Sequence, residues 1–298
     1  MNLPLAPARV ALCLAAMCAG TARLHAQEVF DSISVLPVEP AAASRSLQRT
    51  DSAPPWITKR ELAGVGLSII ATLAVSPLDR PVANEFAETP WKSNKTLQSV
   101  TGSLAFMGGP GPFIVAGGMF ALGELGRAPS LSAAGEHVTE AVVIAASLTA
   151  LGKGLAGRAL PGVQASENFQ WARGFHRGNG PFVAFPSGHT AAAFALAASL
   201  TGEADAWRPG LDRYVGPAAY TFATAIGLAR VYQRVHWMSD LPLAAAIGTW
   251  SGLSVESHVH QDRANSATRL LLSATVQRAP DGTTMVGFVF PFAPGGEK

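Results

Sequence analysis

The way the apolar sequence is divided limits most what this chain can fold into. Apolar runs occupy residues 62–76, 190–202 and 241–255, and the longer stretch 97–123 is cut by Gly108-Gly109-Pro110-Gly111-Pro112. Proline lacks an amide donor and glycine loses the most backbone entropy, so such breakers end helices. Ala, Gly and Leu dominate and aromatic residues make up only 8 %, a palette that favours closely packed helices over a β-sandwich. The spacing predicts a first helix from the capping box Thr58 to Glu61 up to Val75, where Pro77 stops it. A second starts near Ser93 or Asn94 and ends at the breaker, a third spans 113–126, and a fourth runs from Ser132 to about Gly157. Ser187 caps a fifth to about Leu200, Pro217 opens a sixth to about Arg230, and Asp240-Leu241-Pro242 sits in the first turn of a seventh. Past Ser266 the period changes. Leu270 to Val276 and Met285 to Phe290 read as two strands around Pro280-Asp281-Gly282.

Hydrophobic residues make up 48 % of the 298 residues and charged ones only 14 %. The usual soluble domain is nearer a quarter charged. The chain therefore buries a large core, lies against a membrane, or both. A net charge of +2 gives no strong attraction to nucleic acid, and no run of Lys or Arg suggests a groove for it. Arg9, the apolar run Val10 to Gly20 and the small residue Ala26 fit a secretory signal cleaved after Ala26, with an uncleaved membrane anchor as the alternative. Both cysteines, Cys13 and Cys18, fall inside that segment, so the mature chain is expected to hold no disulfide or thiolate metal site. The expected organisation is a signal peptide over 1–26, a flexible Ala/Ser/Pro-rich linker over 27–56, a helical domain over 57–260, and a tail with a β-hairpin over 261–298.

Three clusters carry chemistry. Phe185-Pro186-Ser187-Gly188-His189-Thr190 ends a loop and starts a helix, where backbone N–H groups converge on one spot and bind anions. Gly188 lets the backbone approach a ligand, and His189 on the first turn could donate a proton; the plain alternative is a serine cap with a surface histidine. Arg230 stands six residues before His236, and Asp240 four after it. If His236 and Asp240 share a helical turn their side chains meet, and the carboxylate fixes the tautomer that leaves the other ring nitrogen free to attack. Arg230 offers a planar fork for phosphate oxygens, although a surface ion pair explains the same spacing. Lys153 closes the apolar run Val142 to Leu151, as a phosphate ligand or as a cation against the helix dipole. The loop 158–186 is long enough to be functional, and it carries Arg158, Arg173 and Arg177. His258 and His260 alternate near the tail, and with no further ligands they read as a solvated pair.

Taken together, Lys153, Pro161, Pro186-Ser187-Gly188-His189, Arg230, His236 and Asp240 resemble the three-part signature of the type 2 phosphatidic acid phosphatase family. That family includes bacterial acid phosphatases, lipid phosphatases and vanadium haloperoxidases. Its pattern is Lys, six residues, Arg-Pro; then Pro-Ser-Gly-His; then Ser-Arg, five residues, His, three residues, Asp. The resemblance covers about residues 60–255. It departs from the pattern at Leu160, where the family has arginine, and at Ala229, where it has serine. Arg158 precedes Leu160 by two residues, so in an extended segment it points the same way and is expected to replace the missing arginine, with Arg173 or Arg177 from the loop, or a slow enzyme without replacement, as the alternatives.

The resemblance implies an all-α fold, a helical bundle of about six core helices with the site at one end, followed here by the short hairpin tail. It implies a metal-independent phosphatase without cofactor. His236 attacks phosphorus to give a phospho-histidine, Asp240 orients it, and His189 protonates the leaving alcohol and then activates water. Lys153, Arg158, Arg230 and the groups at Ser187 and Gly188 hold the phosphate oxygens. The expected partner is a phosphorylated lipid or a small phosphate ester, with membrane association and no nucleic acid. The expected place is the periplasm, or the inner membrane with the site facing the periplasm. Against integral placement, the runs 62–76, 190–202 and 241–255 fall short of the about 20 residues a span needs. Two rival functions share these residues: a vanadium-dependent haloperoxidase, and a non-catalytic phosphate- or lipid-binding relative.

Overall fold

The computed structural model describes residues 59–163, 168–176, 180–261, 274–278 and 284–288. The expected signal segment 1–26, the linker 27–56, Thr58 of the capping box, Arg177 and most of the tail lie outside the described residues. The chain divides into two units, residues 1–67 and 68–298. In the first unit the described residues 59–67 are helical. The second unit holds the rest.

The fold is all-α, as the sequence predicts. Helix α1 covers Lys59–Val75 and passes through a 3-10 turn at Ser76–Leu78 into α2, Asp79–Glu85. Short α3 (Thr89–Lys92) is followed by α4 (Lys95–Gly108), capped by the Asn94 side chain, which accepts from the Leu97 amide. The breaker at Gly109-Pro110 then opens α5, Gly111–Gly126. Helix α6 covers Pro129–Ala156, α7 Gly188–Trp207, α8 Asp212–Tyr232 and α9 Asp240–Gln261. Helix α1 ends at Val75 as expected, and Pro77 lies in the 3-10 turn that leads into α2, where its missing amide costs no bond. One expectation needs correction. Pro217 lies inside α8 rather than opening it, since the helix starts five residues earlier at Asp212. In the tail, β1 (Ala274–Arg278) pairs antiparallel with β2 (Thr284–Phe288), Val276 opposite Val286. Leu270 to Ser273 and the turn at Pro280-Asp281-Gly282 lie outside the described residues.

Helix α7 is the centre of the bundle. It packs against α9, α8 and α6, and α5 packs against α6. Its sequence explains why. Ala191, Ala192, Ala193, Ala195, Ala197 and Ala198 are all buried, on every side of the helix, so three neighbours can approach closely. Glycine continues the pattern on α9. A Cβ at Gly248 would lie 2.1 Å from the Ala191 carbonyl oxygen, and one at Gly252 2.5 Å from the Ala198 Cβ. The core over α6, α7 and α9 is built from Val138, Ala141, Val142, Ala145, Ala191, Ala195 and Ala244.

Large apolar side chains face outward instead. Ile70 is 63 % exposed, Leu73 65 %, Leu122 63 % and Leu125 84 %, with Ile114, Leu148 and Leu151 also exposed. Exposed apolar surface on this scale marks an interaction with lipid or protein. By length and composition, Ala63–Glu85 and Pro129–Ala156 could each cross a membrane, and α4 with α5 could form a third span bent by 55°. The helices outrun the apolar runs of the sequence because isolated polar residues such as Ser68 and Thr149 turn inward, where both are buried.

Candidate active site

Helices α6 to α9 alternate in direction, so the C-terminal ends of α6 and α8 meet the N-terminal ends of α7 and α9. Lys153, Arg230, His189 and Asp240 occupy those four ends. Val183, Ala184 and Pro186 of the loop that follows α6 lie at the same end, against Lys153, His236 and Gly152.

The Asp–His pair is built within one turn. His236 is 5 % exposed and Asp240 fully buried. The His236 Nδ1 lies 2.6 Å from the Ala184 carbonyl oxygen and 3.4 Å from Asp240 Oδ2. Both neighbours are acceptors, so Nδ1 carries the proton and Nε2 keeps its lone pair. Asp240 Oδ2 also accepts from the Trp237 amide at 2.7 Å. Burial holds the imidazole below its usual range, against the pull of Asp240, so it rests neutral at pH 7.

Ser187 caps α7. Its Oγ accepts from the Thr190 amide and hydroxyl, and its own amide donates to the Asp240 carbonyl at 3.2 Å. The cap therefore fixes the start of α7 against the start of α9. The next amides, of Gly188 and His189, lie in the first turn, where no intrahelical acceptor exists. A Cβ on Gly188 would lie 3.7 Å from Lys153 Cε, which brings the lysine stem to this turn. Lys153 Nζ donates to the Val183 carbonyl at 2.6 Å and keeps further donors. Arg230 Nη1 donates to Gln233 Oε1 at 2.6 Å. His189 is pushed down to about 4, first by burial and then by Arg230, with further contributions from His236 and Lys153. An oxyanion beside the cations Arg230 and Lys153 would offset the repulsion and favour the protonated form of His189.

Arg158, expected to stand in for the missing phosphate arginine, is 5 % exposed and bonded within the protein. Nη2 donates to Asp79 Oδ2 at 2.7 Å, and Nη1 donates to Ser239 Oγ at 2.8 Å and to Asp240 Oδ1. The guanidinium lies over the Phe169 and Trp237 rings, 4.8 and 5.4 Å from their centroids. Two buried carboxylates draw it there, and an isolated bridge between Arg158 and Phe169 sets the direction of the strand-like segment. Leu160 packs against Ala83, Ala184 and Trp237. Arg173 lies over the Phe182 ring at 5.2 Å.

Sequence reasoning missed two contributors. Asp79 reaches the site from α2; its signal was a lone carboxylate directly behind Pro77 in an apolar stretch. The breaker Gly108-Gly109 lies against His189, and a Cβ at Gly109 would stand 3.2 Å from His189 Nε2. Its signal was an interruption where a long helix would otherwise run.

Among the described residues, His137, Glu203 and Glu256 could hold a metal ion, their ligand atoms lying within 4.8 Å of one another. His137 Nδ1 is 2.5 Å from Glu203 Oε1. The group sits 14 to 16 residues along α6, α7 and α9 from Lys153, His189 and Asp240, roughly 21–24 Å away at the other end of the bundle.

Residues 137–263 match the family model of the PAP2 superfamily. Over 68 residues the chain is 38 % identical to a lipid A 1-phosphatase of Porphyromonas gingivalis, a match covering 23 % of this chain and 14 % of that protein. The matched stretch is thus a small part of the relative's length. No solved structure matches the chain.

Proposed function

We propose that this chain, whose residues 137–263 belong to the PAP2 superfamily, is a phosphatase that works through a phospho-histidine intermediate on His236. One observation carries the reading: His236 presents a free Nε2 lone pair at the helix ends where Lys153, Arg230, His189 and the first turn of α7 gather. Nε2 attacks phosphorus, and the bond to the leaving oxygen breaks as that oxygen takes the proton from His189. Water then attacks the phospho-histidine while His189 accepts its proton, which returns the free imidazole and releases phosphate. Lys153, Arg230 and the Gly188 and His189 amides stabilise the charge on the equatorial oxygens. In this reading the protein's own cations supply that charge, and chelators leave activity unchanged.

The substrate we propose is a phosphorylated lipid. The exposed apolar side chains on α1, α5 and α6 support it, as do the candidate spans and the lipid A phosphatase activity for which the relative is named. We read the chain as membrane-associated, with its site on the periplasmic side. The test is a phosphate-release panel over lipid phosphates, polyprenyl pyrophosphate and soluble esters, with wild type, His236→Ala and His189→Ala. His236→Ala should abolish turnover and leave the helical content unchanged. His189→Ala should trap labelled phospho-enzyme from substrates with good leaving groups. Near-normal turnover in His236→Ala would overturn the mechanism.

A further inference from the structure

We infer that Asp79 is a positioning residue for His236, acting through a guanidinium that it shares with Asp240. The inference rests on the proposed nucleophilic role of His236, and it concerns a residue outside the matched stretch 137–263.

Asp79 opens α2 and is 6 % exposed. Each of its oxygens is used. Oδ1 accepts from the Ser239 amide at 2.9 Å; Oδ2 accepts from the Ser239 hydroxyl at 2.6 Å and from Arg158 Nη2 at 2.7 Å. The other arm of Arg158 reaches Asp240 Oδ1, and Asp240 Oδ2 faces His236. A chain of direct contacts therefore runs from Asp79 through Arg158 and Asp240 to the nucleophile. Each member is buried, and the guanidinium also lies over the Phe169 and Trp237 rings.

The charges give the arrangement a purpose beyond tying α2 to α9. One guanidinium faces two carboxylates, so the cluster keeps one net negative charge. If Arg158 faced Asp240 alone, it would neutralise that carboxylate and loosen its hold on the His236 Nδ1 proton. With half of its fork on Asp79, Arg158 fixes where Asp240 stands without cancelling its charge. The same geometry accounts for the unusual segment Arg158-Ala159-Leu160. An arginine committed to two carboxylates serves the nucleophile's partner rather than the phosphate.

The test uses the full chain in detergent, wild type and Asp79→Asn, with nitrogen-labelled histidine. The kcat of Asp79→Asn should fall by about 10- to 100-fold, with KM within about two-fold, as for other groups that orient a reacting residue. In an Asp240→Asn background, the same change should lose most of its effect, because the carboxylate it acts through is gone. A merely structural tie would give the same factor in both backgrounds. The His236 ring-nitrogen resonances should shift in Asp79→Asn. This readout needs no turnover, so a wild type that releases no phosphate would sink the proposed function and still leave this inference decided by the resonances. If Asp79→Asn does not fold, Ser239→Ala removes one bridge between Asp79 and Arg158 and should move kcat and the resonances part of the way. Unchanged kcat and unchanged His236 signals in either folded variant would overturn the inference.

Discussion

Replacing Arg158 by glutamine separates a guanidinium that holds carboxylates from one that holds phosphate. Arg158 is 5 % exposed, Asp79 6 % and Asp240 0 %. The substitution keeps most of the packing against Phe169 and Trp237 but leaves two buried carboxylates facing each other without their cation. Removing one partner of a buried ion pair costs about 3–5 kcal/mol, because the remaining charge stays uncompensated. The lower end of that range is about 3 kcal/mol. For a domain of this size, about 3 kcal/mol lowers Tm by roughly 6–12 °C. Thermal unfolding in detergent, followed by circular dichroism, reads the loss. Adding Asp79→Asn to Arg158→Gln should recover a good part of the lost stability, since one of the two stranded charges is then gone. Arg158→Lys should recover little, because an ammonium cannot span two carboxylates with a planar fork. An Arg158→Gln protein with unchanged Tm and a raised KM would refute this reasoning and make Arg158 a phosphate ligand.

Three further outcomes are expected. His189 sits at about 4 in the free protein and regains its proton beside a bound oxyanion. The binding gain that depends on that proton is present at low pH and lost as pH rises through the bound-state value, so vanadate inhibition should weaken over that range, and His189→Gln should abolish this part of the slope. Leu160→Arg would force a cation among Ala83, Ala184 and Trp237; Tm should fall without a gain in turnover, whereas raised turnover would mean the site lacks a phosphate arginine. Glu256 is pushed up to about 8, chiefly by burial and then by Glu203. The folded state thus holds a proton that the unfolded state releases at lower pH, and stability should decline as pH rises from about 4.5 towards 8, a decline that Glu256→Gln should flatten if the reasoning is right.

Much of the site could be read from the sequence because its pieces lie at short fixed offsets. His236 and Asp240 needed only one turn to meet, and Ser187 needed only a helix start behind it. Helix existence was legible for the same local reason, with breakers at Gly109-Pro110 and caps at Asn94 and Ser187. Helix α2 escaped because a proline in an apolar run reads equally as a stop or as the first turn of a new helix. The beginning of α8 escaped because Pro217 suits a helix start, while packing of α8 on α7 carried the helix five residues further back. The direction of Arg158 was beyond sequence reasoning. Alternation along an extended segment said which way it pointed relative to Leu160, but not that Asp79 stood there, 79 residues away in the chain.

The sequence by itself determined the all-α class, the helix-end positions of Lys153, His189, Arg230 and Asp240, and the local pairing of His236 with Asp240. Each follows from backbone periodicity, capping and spacing within a turn. Only the tertiary structure decided that those four helix ends converge, that the Gly108-Gly109 bend lies against His189, and that Arg158 is shared between Asp79 and Asp240. Such contacts join residues far apart in the chain, and their energy depends on burial. A carboxylate or guanidinium carries no sign, in sequence alone, of whether water or a buried partner will satisfy it.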